Sequence, residues 1–122
     1  MTDNFYKKTE EISGKDARYK PDAYEFIMQA LIFTQKKLKK QGHLSGQELA
    51  QGARDLALQQ YGPMAKAVLG HWGIKSTEDL GEIVFNMVEN GLLGKTDEDS
   101  REDFKGVYDF QDAFDVFGAK KR

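Results

Sequence analysis

The chain has 122 residues, 39% apolar and 31% charged, with a net charge of −2. That length suits one domain with one modest core, and the charge gives no global pull toward nucleic acid or anionic lipid. Cysteine is absent, which excludes disulfides, thiolate nucleophiles and cysteine-held metals. The charge is unevenly spread: residues 36–40 hold Lys36, Lys37, Lys39 and Lys40, whereas residues 76–103 hold nine acids against Lys95 and Arg101.

Residues 1–19 mix charge with Phe5, Tyr6 and Ile12, and predict a loosely docked arm with a marginal helix over 4–12 that ends at Gly14. Pro21 suits the first position of a long helix running to Gln41, with Asp22 and Glu25 at its positive end and the lysines at its negative end. Its apolar residues form two stripes, Tyr24, Ile27, Leu31 and Leu38 beside Phe26, Ala30 and Phe33, enough to meet more than one neighbour. Gly42 supplies the stop.

Ser45 and Glu48 have the spacing of a capping box, with Leu44 and Leu49 as a hydrophobic staple. The helix they open carries Leu49, Ala53, Leu56, Ala57 and Tyr61 on one face and ends at Gly62-Pro63. A short helix then predicts Met64, Ala65, Val68, Leu69 and Trp72 facing inward, closed by Gly73. The clearest helix follows, from Ser76 to Gly94. Leu80, Ile83, Val84, Met87 and Val88 make its core stripe; Glu78, Asp79, Glu82, Asn86 and Glu89 lie opposite.

Beyond Gly91 the pattern changes. Residues 92–110 read as a hairpin around the acidic tip DEDSRED, or else as a loop followed by one or two short helices; a last helical turn fits 109–117. Residues 20–117 are thus expected to form one domain, with 118–122 a disordered basic tail. The fold class is mainly α (α+β), a helical domain with a C-terminal β-hairpin in the element order of a winged helix; an all-α bundle is the alternative.

Few chemistries fit. An EF-hand loop starting at Asp97 needs Gly at its sixth position and Glu at its twelfth, and meets Glu102 and Tyr108. His43 and His71 have no evident orienting partner, Ser45 and Ser76 are assigned to caps, and no GxSxG, HExxH or P-loop occurs. His71 is expected to be a partly buried packing residue. The sequence therefore predicts no enzyme and no cofactor or metal site. It predicts a cytoplasmic interaction module with a protein partner, having no apolar run of membrane-spanning length and no signal-like N-terminus. Phe85 lies off the core stripe among acids, so Glu78, Glu82, Phe85, Glu89 and Tyr108 are the candidate interface; the competing reading makes these aromatics ordinary core. The alternative function is a nucleic-acid-associated regulator using Lys36, Lys37, Lys39 and Lys40, which the acidic third helix of a winged-helix order disfavours.

The segments RYKPDAYEF (18–26), SGQEL (45–49), RDLALQQYGPMA (54–65) and STEDLGEIVFNMVENGLL (76–93) resemble a small bacterial family of conserved hypothetical proteins described as restricted to Planctomycetes and Verrucomicrobia. The resemblance spans about residues 16–114. It implies an identity and brings no activity, partner or site residue with it.

Overall fold

A computed structural model describes residues 3–94 and 101–115, and among them every regular element is helical. The α-helices are α1 (Asp3–Lys15), α2 (Pro21–Leu38), α3 (Gly46–Tyr61), α4 (Ala65–His71), α5 (Thr77–Glu89) and α6 (Phe110–Ala113); 3₁₀ turns occupy Gly62–Met64 and Arg101–Phe104.

Helix α2 is the hub, packing against α1, α3 and α5, as its two apolar stripes require. Ala23, Tyr24, Phe26, Ile27 and Ala30 are buried along it. Its N-terminus falls at Pro21, but it stops at Leu38 instead of Gln41. Lys39 takes the left-handed position (φ 55°) and its N–H reaches back to the Lys36 carbonyl. Leu38 is consequently exposed. Helix α3 crosses close to α2 at Gly52, where a Cβ would overlap the Thr34 hydroxyl.

The expected capping box at Ser45 is complete, with Glu48 N–H donating to Ser45 Oγ (3.0 Å) and Ser45 N–H to the Glu48 carboxylate (2.9 Å). The staple residues Leu44 and Leu49 are both buried. Helix α4 ends in a Schellman arrangement: Ile74 N–H donates to the Leu69 carbonyl and Gly73 N–H to that of Gly70. Gly73 sits at φ 100°, and a Cβ there would overlap the Arg18 carbonyl. Met64, expected inside, is 60% exposed, because it ends a 3₁₀ turn rather than starting the helical face.

Two further expectations change. The stretch read as a loosely docked arm is a 13-residue helix in contact with α2, with Phe5, Thr9 and Ile12 buried on one face; tertiary packing supplies what an isolated helix of that length lacks. The hairpin over 92–110 is not seen among the described residues, and the all-α reading fits. Gly106 N–H donates to Glu78 and Val107 N–H to Thr77 Oγ1, so amides that a strand ladder would use are committed to the start of α5. Phe104 is buried with its ring against Gly81 of α5 and Gly46 of α3. No strand occurs among the described residues, so the expected winged-helix architecture is not seen there. The tail at 118–122 and residues 97–100 of the acidic tip lie outside the described residues, whereas residues 101–103 of the tip belong to the Arg101–Phe104 turn.

Candidate functional site

Helix α5 separates its two faces cleanly. Leu80, Gly81, Ile83 and Met87 are buried, whereas Glu78, Glu82, Phe85 and Glu89, spaced at i, i+4, i+7 and i+11, form one outward stripe. Asp79 and Asn86, grouped with that face in the sequence, turn sideways. Asp79 caps the helix locally and accepts the Tyr19 hydroxyl (2.5 Å) and Lys75 N–H (2.8 Å). Asn86 donates to Asp16 (2.9 Å) and to the Tyr24 hydroxyl (3.1 Å).

Two arginines converge on the middle of the stripe. Glu82 receives Arg101 at 3.3 Å and Arg18 at 3.5 Å, and Arg18 is also paired with Asp16 at 2.7 Å. The Arg101 guanidinium lies 4.3 Å from the centre of the Phe85 ring, a cation–π stack on a side chain left 39% exposed. Glu78 accepts only neutral N–H and O–H donors, and neither it nor Glu89 has an ion pair among the described residues. Among the described residues the stripe is therefore an exposed aromatic under a guanidinium, with a carboxylate lacking an ion pair at either end.

Charge and burial perturb the groups behind it. The Arg18 guanidinium holds the Asp16 carboxyl well below the usual carboxylate range. Burial first, and then the hydrogen bond to Asp79, pushes the Tyr19 hydroxyl up. These groups tie the α1–α2 connection to α5 behind the stripe.

Tyr108 is placed apart from the stripe. Its hydroxyl donates to the Ala50 carbonyl of α3 (2.7 Å), and its ring packs on Phe110 and Phe114, both buried. Burial raises its pKa. It belongs with the aromatic cluster of residues 108–114 that is tied to α3 through the Ala50 carbonyl, as the competing core reading requires of it.

At the basic end of α2, Lys37 pairs with Asp55 (2.7 Å) and Lys40 with Glu48 (3.0 Å). Lys36 and Lys39 are exposed and carry no ion pair among the described residues. The four lysines thus offer half the free positive charge that their sequence suggests. His71 is exposed, contrary to the packing role expected of it, while its neighbour Trp72 is half-buried between Phe26 and Tyr61. No group of three or more His, Asp or Glu among the described residues is placed to hold a metal ion.

The sequence reading missed Arg18, Asp16 and Arg101. A signal existed for each: Asp16 two residues before Arg18 favours an Asx turn, which forms (3.1 Å), and Arg101 is the lone cation in DEDSRED. No known protein family, curated protein or solved structure matches the chain.

Proposed function

We propose that this chain is a non-catalytic adaptor that binds a protein partner through the outer stripe of α5. The observation that carries the reading is Phe85, exposed in mid-helix between carboxylates and stacked by Arg101. Aromatic and arginine side chains dominate interface energetics, and an acidic rim selects a basic partner. A cytoplasmic setting agrees with this role. Among the described residues no helix is long and apolar enough to cross a membrane. Membership of the family that the sequence resembles stays part of the proposal and adds no activity to it.

The test is affinity capture of the tagged chain from its own host, with and without nuclease, using wild type and Phe85→Ala side by side. A partner that survives nuclease and is lost with Phe85→Ala supports the adaptor, since truncating a central aromatic costs about 2 kcal/mol of binding. A partner retained equally by Phe85→Ala removes the stripe from the account.

The second reading, nucleic acid at the basic end of α2, has exposed Lys36 and Lys39 in its favour. It predicts nuclease-sensitive partners, steep weakening with salt and loss of binding on charge reversal at those two positions.

A further inference from the structure

A second feature lies away from α5, where α2, α3 and α4 meet. Phe26, Tyr61 and Trp72 border a depression of about 160 Å3 whose rim carries Asp22, Glu25 and Gln29. The Tyr61 and Trp72 rings meet edge to face in a corner, 80° to one another at 5.9 Å, and the buried Phe26 ring lies 5.8 Å from Trp72 with a 46° tilt. Trp72 is held in place from behind: its carbonyl accepts Lys20 N–H (3.1 Å), and its own N–H is bonded to the carbonyls of Leu69 and Val68. Glu25 is oriented by the Tyr6 hydroxyl (3.0 Å), and neither Glu25 nor Asp22 has a cationic partner among the described residues.

We propose that this corner binds a small free cation with an alkylated ammonium head. Aromatic faces attract a cation through the ring quadrupole, and methylated ammonium, being weakly hydrated, loses little on leaving water for such faces. The cavity admits a head group of that size and is too small for a typical drug-sized ligand. The positive end of α2 opposes a cation with about half a charge, and the two rim carboxylates outweigh it. The site draws on α2, α3 and α4, so it stands or falls independently of the α5 stripe.

Trp72 is the single tryptophan of the chain, so its fluorescence reports on this corner directly. The experiment titrates the full chain with tetramethylammonium, choline and 3,3-dimethylbutanol, the uncharged isostere of choline, with calorimetry alongside so that a silent fluorophore does not hide binding. The expected result is saturable binding of both cations, about tenfold weaker binding of the neutral isostere, and a similar loss for choline in Asp22→Asn/Glu25→Gln, a rim change that leaves the rings intact. Equal binding of choline and the isostere, undiminished binding by the double variant, or no heat and no fluorescence change with either cation would each overturn the proposal. Binding of a trimethyllysine peptide while the free cations stay inert would overturn the small-molecule source.

Discussion

At Gly52 one missing methyl group sets how closely two helices approach. The α3 backbone lies against Thr34, whose hydroxyl donates to the Ala30 carbonyl (2.6 Å), and a Cβ at position 52 would occupy that hydroxyl's place. Gly52→Ala ordinarily gains helix propensity. Here the overpacking wins, and we expect a net destabilisation of about 1–3 kcal/mol in urea unfolding.

Titratable residues set two further limits. Asp16 has a depressed folded pKa, so the stability it contributes is present at neutral pH and is lost as pH falls below about 4. Tyr19, Tyr24 and Tyr108 are raised chiefly by burial, so the unfolded chain ionises first and stability falls as pH rises above about 10. Urea midpoints measured across pH should fall at both ends. Tyr108→Phe removes the hydroxyl bonded to Ala50; it should cost about 1 kcal/mol at neutral pH and flatten the alkaline limb.

At the scale of elements, the sequence was most legible where local chemistry decides the outcome. Ser45 with Glu48 and Ser76 before Asp79 place the starts of α3 and α5 through short-range hydrogen bonds, and the structure makes them. Ser45→Ala should cost about 1 kcal/mol, read as a lower thermal midpoint with the fold unchanged. Legibility failed where a distant residue decides. Helix α1 depends on burying Phe5 and Ile12 against α2, which no local pattern records. Residues 104–108 carry aromatics spaced like a strand, yet Glu78 and Thr77 capture the amides of Gly106 and Val107, and the glycines at 46 and 81 admit the Phe104 ring. Glu78 was read as a surface acid. It is also one of the contacts that fold the chain back onto α5.

Over the whole molecule, α2 collects the core while α5 presents an acidic, aromatic-centred stripe on the outside. Phe85 was identifiable from periodicity alone, because it falls off the i, i+3, i+4 core positions of its helix. Arg101 stacked upon it was not, since the pairing spans sixteen positions and depends on the Arg101–Phe104 turn docking on α5. Tyr108 looked equivalent to Phe85 in the sequence and differs because its hydroxyl finds the Ala50 carbonyl and its ring packs on Phe110 and Phe114. The lysines at the end of α2 looked like a continuous basic patch, until Asp55 and Glu48 of α3 came across to meet two of them.

The measurement that bears most directly on the adaptor reading is hydrogen exchange on the chain, alone and in complex with its nuclease-resistant captured partner. Added protection should concentrate in Thr77–Glu89 and the Arg101–Phe104 turn, with residues 36–40 exchanging as in the free protein. Protection confined to residues 36–40, with α5 unchanged, would contradict that reading.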